Sequence, residues 1–264
     1  MSAPAESVRP RHGRRAVVIG AIAVAAAMVA ATAGYALWQG ANRPDAAWFG
    51  SIVAHGPRDR PEVALTFDDG PDDPATLEIR DLLAARGLEA VFFSIGRAVD
   101  ERPDITKALV ASGQIVGNHS YRHDEIRWLD PRYPELGRAE AAIGRATGEC
   151  PTFFRPPHGQ HTPFMARVVA RAHMKMIGWD VSAADWVTHD PRVVAARVLR
   201  RVRPGSIIDL HDGLDANVTA DRSVVVRALP LILDGLAERH LTPVRLDRML
   251  GVNPYAGRCP AATR

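Results

Sequence analysis

The chain has 264 residues, 47% hydrophobic and 24% charged, which is an ordinary globular composition and room for one large core or two small ones. Its basic excess is local: Arg9, Arg11, Arg14 and Arg15 against Glu6 give the first 15 residues a net charge of +3, and 29 basic and 29 acidic residues remain elsewhere. A nucleic-acid binder carries its positive charge on the folded body, where it neutralises phosphates, so no nucleic-acid partner is expected.

After the arginine cluster, Ala16 to Trp38 holds no charged residue, and these 23 residues suffice to span a bilayer. Flanking arginines stay cytoplasmic, which sends the rest of the chain to the outer side. A retained anchor is favoured over a cleaved signal peptide because the run is longer than a usual signal core, although Ala31-Thr-Ala33 resembles a cleavage site. The expected division is a basic cytoplasmic tail (1–15), a transmembrane anchor or signal peptide (16–38), a Pro- and Gly-rich linker (39–60), one domain (61–250) and a C-terminal tail (251–264). The protein would then be membrane-anchored with its domain extracytoplasmic, or secreted if the anchor is cut.

Short apolar runs follow: Val63 to Phe67, Ala90 to Ile95, Ile115 to Gly117, Thr152 to Phe154, Met174 to Trp179, Ser206 to Leu210 and Leu241 to Val244 read as strands. Between them Pro74 to Arg86, Pro103 to Ser112, Tyr133 to Thr147, Pro163 to Ala172, Pro191 to Arg201 and Ser223 to Arg239 carry helical spacing, several opening on a first-turn proline. This alternation specifies the α/β class with parallel strands. Asp68-Asp69, His119, Arg155, Asp185 and His211 each stand at or just past the C-terminal end of a different strand. A barrel gathers those ends on one face, whereas an open sheet spreads them along an edge, so a (β/α) barrel is expected.

Thr66-Phe-Asp-Asp-Gly-Pro71 turns sharply after a strand, and its adjacent carboxylates ionise together at low cost only beside a cation. His119-Ser-Tyr-Arg-His123 puts both imidazoles on one face if the segment turns helically. Asp, His and His on one divalent cation leave the second carboxylate to move a proton. That donor set suits Zn, Co, Fe or Mn, with zinc the first expectation. Arg155-Pro-Pro-His-Gly159 is a stiff loop able to offer a guanidinium and a backbone N–H; Trp179-Asp-Val-Ser-Ala-Ala-Asp-Trp186 offers an acid and an aromatic wall; His211, past a buried strand, suits a general acid. Cys150 and Cys259, both on the outer side, either pair or remain two buried thiols; a bridge would be worth about 4 kcal/mol.

In this order the five segments resemble the polysaccharide deacetylase family, the NodB-homology domain of carbohydrate esterase family 4, over residues 60 to 245. The resemblance implies a distorted (β/α) barrel of seven or eight strands and metal-dependent removal of acetyl groups, usually from N-acetylglucosamine polymers. It implies Asp69, His119 and His123 as metal ligands, Asp68 as general base, Arg155 orienting Asp68, and His211, tuned by Asp185, as general acid. The backbone N–H of His158 would hold the oxyanion, Trp186 would form part of the acetyl pocket, and Pro156 would be a further substrate-binding residue. The expected partners are an acetylated glycan and the membrane; oligomeric state is left open. An O-acetyl esterase and a non-catalytic glycan-binding domain are the alternatives. The chain departs from the family at His158, where Tyr or Phe is commoner, at Ser182, in place of the first acid of Asp-x-x-Asp-Trp, and at Asp209, in place of a pocket leucine.

Overall fold

The computed structural model of the chain describes residues 12 to 124 and 126 to 257, in two units that part between Gly40 and Ala41. The described residues of the first unit, 12 to 40, lie within α1 (His12–Ala41). Arg15–Ala41 is long and apolar enough to cross a membrane by length and composition, and its apolar side chains, Val17, Ile19, Ile22 and Val29 among them, are exposed on that unit.

In the second unit the elements are β1 (Ile52–Val53), β2 (Glu62–Asp68), α2 (Ala75–Ala84), β3 (Val91–Ser94), α3 (Gly96–Glu101), α4 (Pro103–Ala111), β4 (Ile115–Asn118), α5 (Glu135–Thr147), β5 (Cys150–Pro151), β6 (Phe153–Phe154), α6 (Pro163–Arg171), β7 (Lys175–Ile177), β8 (Val181–Ser182), α7 (Pro191–Leu199), β9 (Ile207–His211), α8 (Ser223–Glu238), β10 (Thr242–Pro243), α9 (Leu246–Leu250) and β11 (Tyr255–Ala256). Prolines 103, 163 and 191 sit in the first turns of α4, α6 and α7, where a missing N–H costs nothing. Thr162 and Asp190 cap α6 and α7 by accepting from Met165 N and Arg192 N.

Eight strands follow one another in the order β1-β7-β6-β4-β3-β2-β9-β8, all parallel, and β10 adds to the start of β2. The expected distorted barrel is therefore present. Side-chain alternation divides its interior from its helical coat. Along β2, Val63, Leu65 and Phe67 pack with Ile79 and Leu83 of α2 and with Val225 and Leu229 of α8, and Phe67 stacks on Phe92 at 5.0 Å. The intervening Ala64, Thr66 and Asp68 therefore face inward, as do Ile207, Asp209 and His211 of β9, whose Ile208 and Leu210 join the outer cluster. Burial on both faces explains why these strands read as nearly continuous apolar runs.

Three local features differ from expectation. Residues 41 to 60 pack against the barrel: β1 pairs with β7, the Ala41 carbonyl accepts from His161 N at 2.9 Å, and Ala46 is buried. A two-residue strand at β1 and single backbone contacts carry no periodicity of their own, so no helical or strand pattern marks this segment. His119 to His123 is not helical, because Ser120 and His123 have φ of 67° and 58°. The Asn118 carboxamide accepts from Ser120 N at 3.0 Å, and Ser120 Oγ accepts from His123 N at 3.0 Å, side-chain bonds that replace the helical ladder. The tail returns to the barrel as β11 beside β5, with Ala256 opposite Cys150. Cys259, the expected partner of Cys150, lies outside the described residues.

Candidate active site

The strand ends of the barrel converge. β2 lies between β3 and β9, and the parallel register sets Asp68 beside His211 and Thr66 beside Asp209. The turn after β2 holds Asp69 at φ 75° and a cis Gly70-Pro71 bond. It is clamped from β9, because the amides of Asp212 and Gly213 both donate to the Asp68 carbonyl, at 3.1 and 3.2 Å. This approach requires glycine at 213, since a Cβ there would collide with the Asp69 backbone carbonyl.

Asp69, His119 and His123 are all buried, and one donor atom from each lies within 4.8 Å of the others. Asp69 Oδ1 is 3.4 Å from His119 Nε2 and 3.3 Å from His123 Nε2, and this buried oxygen has no hydrogen-bond partner. His119 Nδ1 is 2.8 Å from the Arg155 carbonyl, which turns Nε2 toward Asp69. Behind His123, Asp215 Oδ1 comes within 2.9 Å of Nδ1, close enough for the charges to interact though not aligned as a hydrogen bond. Burial pushes the Asp69 carboxyl up, but His123 and then His119 outweigh it and hold the group well below its usual range. Burial lowers His123, and Asp69 and Asp215 more than reverse that. Without a cation the charge of Asp69 favours the protonated form of the His123 imidazole. An orphaned buried oxygen facing two oriented ring nitrogens fits a divalent cation in their place.

Beside this cluster, Asp68 Oδ1 accepts from Arg155 Nη1 at 2.7 Å. Arg155 is fully buried; the same Nη1 reaches Thr66 Oγ1 at 2.8 Å and Asp209 Oδ1 at 3.3 Å, and Nη2 donates to the Gly178 carbonyl at 3.1 Å. The guanidinium carbon lies 4.3 Å from the ring centre of Phe93. Asp68, Asp209 and His211 also place donor atoms within 4.8 Å of one another, but there Arg155 already supplies the positive charge between the two carboxylates.

His211 Nδ1 lies 3.0 Å from Asp185 Oδ1, and the other Asp185 oxygen accepts from buried Arg222 Nη2. Burial works against charge on His211, yet Asp185 and then Asp209 hold its pKa well above the ordinary value, so it carries a proton at neutral pH. Trp186 is half exposed and packs edge-on to the His211 ring at 4.9 Å between centroids. Buried Pro156 is extended at φ −66°, ψ 136°, and the turn brings the His158 ring to 4.5 Å from that of His123. Burial, then the charges of His123 and His119, lower the His158 pKa and leave it neutral.

A family model described as polysaccharide deacetylase matches residues 55–177. The chitooligosaccharide deacetylase of Sinorhizobium fredii is 36% identical over 187 residues, covering 68% of this chain and 87% of that protein. The chain belongs to the polysaccharide deacetylase family. The Bacillus cereus peptidoglycan-N-acetylglucosamine deacetylase is 32% identical over 158 residues, and this match covers 59% of the chain and 58% of the relative. Among solved structures, the Bc1960 peptidoglycan N-acetylglucosamine deacetylase superposes with a TM-score of 0.71 at 28% identity, covering 78% of this chain and 95% of that one.

The barrel of this polysaccharide deacetylase family member brings together all ten residues expected from its sequence. Two further residues went unnoticed. Arg222 opens α8 from a segment without a motif, and its role rests on the contact with Asp185 across 37 positions of chain. Asp215 sits in an acidic loop, His211-Asp-Gly-Leu-Asp215, where the second Asp of such a run offered a signal of its own.

Proposed function

We propose that the chain is a membrane-anchored, metal-dependent N-deacetylase acting on N-acetylglucosamine in cell-wall polysaccharide, peptidoglycan or chitin-like oligomers. The observation that carries this reading is the juxtaposition of the Asp69, His119 and His123 cluster with a carboxylate on Arg155 and a protonated imidazole on Asp185. Zinc is the favoured ion for two imidazoles and one carboxylate. When bound, it supplies Lewis acidity to the acetyl carbonyl and lowers the pKa of the attacking water.

The chain's own residues complete the reaction. Asp68, held at Oδ1 by Arg155, takes a proton from that water through Oδ2 as the water oxygen attacks the acetyl carbon. The main-chain N–H of His158 donates to the oxygen that becomes negative in the tetrahedral intermediate. As the carbon–nitrogen bond breaks, His211 delivers its Nε2 proton to the departing amine, while Asp185 keeps Nδ1 engaged and the imidazolium charged. Trp186 and Pro156 wall the acetyl group. The anchor at 16–38, with residues 1–15 cytoplasmic, holds the domain of 61–250 beside the wall polymer.

The test is acetate release by the full chain in detergent, with Zn²⁺ or Co²⁺ and N-acetylglucosamine oligomers or purified peptidoglycan, against an Asp69→Ala control. Metal-dependent acetate absent from the control is expected. Release from acetylated xylan alone moves the chain to an O-esterase role, and metal bound without acetate from any substrate leaves only glycan binding.

A further inference from the structure

Arg155 places one nitrogen, Nη1, among three acceptors: Thr66 Oγ1 and Asp68 Oδ1 on β2 and Asp209 Oδ1 on β9. Thr66 Oγ1 spends its own proton on the Ile208 carbonyl at 2.7 Å. Ser182 Oγ on β8 donates to Asp209 Oδ2 at 3.1 Å and accepts from Ala184 N at 3.2 Å. Both Asp209 oxygens are thus engaged, and the residue is only 1% exposed. Register explains the arrangement, because Thr66 pairs with Asp209 and Asp209 with Ser182, giving one polar row across three adjacent strands. Burial raises the pKa of Asp209, and His211 and Arg155, whose Nη1 is the positively charged donor that contacts it, favour its ionised form.

We propose that Asp209, locked by Ser182, is a positioning residue that holds Arg155 and, through it, the base Asp68; this rests on the function proposed above. The unusual pair at 182 and 209 then reads as an exchange. The acid expected on β8 is supplied from β9, one strand away at about 4.8 Å, and a hydroxyl remains on β8 to lock it. Because its oxygens turn to Arg155 and Ser182, Asp209 presents no free charge to an acetyl methyl group, and the pocket tolerates acid where leucine was expected.

The test compares the full-length protein with Asp209→Leu and with the exchange variant Ser182→Asp/Asp209→Leu, reading kcat, KM, zinc stoichiometry and urea unfolding. Asp209→Leu should lower kcat on the order of 10²-fold, the cost of a base displaced by about 1 Å, with KM and zinc content unchanged. The exchange variant should regain most of the lost kcat, because the carboxylate returns to the same guanidinium from the neighbouring strand. Full kcat in Asp209→Leu, or an exchange variant that folds and binds zinc yet recovers nothing, overturns the proposal. Should the wild type release no acetate, the functional reading fails separately and unfolding decides: a lower urea midpoint in Asp209→Leu, restored by the exchange, supports the hold on Arg155, and unchanged midpoints refute it.

Discussion

Replacing Asp185 by Asn probes His211 as the proposed general acid. His211 Nδ1 and Asp185 Oδ1 are 3.0 Å apart and the Asp185 side chain is fully buried, so at an effective dielectric of about 20 the Coulomb attraction is about 5.5 kcal/mol before the opposing cost of desolvation. Asparagine keeps a carbonyl oxygen as acceptor but removes the charge, and Arg222, which also donates to the His211 carbonyl at 3.3 Å, then faces the imidazole as an uncompensated cation. Both changes favour the neutral ring. Because the wild-type pKa is raised, His211 holds its proton through neutral pH and loses it only well above the ordinary histidine value, which sets the alkaline limb of kcat. In Asp185→Asn that limb should move to lower pH, and kcat at neutral pH should fall by about 10² to 10⁴, the usual worth of a positioned proton donor. The assay is a pH profile of acetate release, with zinc content and thermal melting as controls for the newly unpaired Arg222. An unchanged limb in a folded, zinc-loaded variant would refute the role of Asp185.

Asp215→Ala should weaken zinc binding by about tenfold or more without abolishing it, because Asp215 supports His123 from behind; titration calorimetry measures this. Burial first, and then neighbouring carboxylates, raise the Asp212 pKa to about 7 from 3.8. Its contribution to stability is therefore complete below pH 4 and is lost as pH rises toward 7, where the unfolded chain ionises and the fold resists. Melting curves of Asp212→Asn across pH 4 to 8 should be flatter than wild type, and parallel curves would refute the assignment. Gly213→Ala should destabilise the fold by about 1 to 3 kcal/mol, since its methyl group meets the Asp69 backbone, and should weaken zinc binding; urea unfolding and calorimetry test both effects.

Much of this site is legible from sequence because its chemistry lies in short segments, each closing an apolar run: Asp68 and Asp69 after β2, His119 after β4, Arg155 after β6, His211 ending β9. Apolar runs locate β2, β3, β4, β7 and β9 and even the two-residue β6 and β10, whereas β1 and β8 do not read as strands. The histidine spacing suggested a helix for a local reason, and side-chain bonds from Asn118 and Ser120 overruled it.

From sequence alone came the α/β class, the apolar segment at 16–38, and the candidate metal, acid and base residues, because residue type, spacing and strand ends mark the segments and the family resemblance assigns the roles within them. Tertiary structure decided which charges neutralise one another: Arg222 with Asp185, Asp215 behind His123, and Asp209 with Ser182 on Arg155. The physical reason is that hydrogen bonds and close ion pairs form only at a few ångströms. Strand register brings residues 66, 182 and 209 within that range, and the loop after β9 and the start of α8 bring Asp215 and Arg222 to their partners, none of which a local sequence pattern encodes.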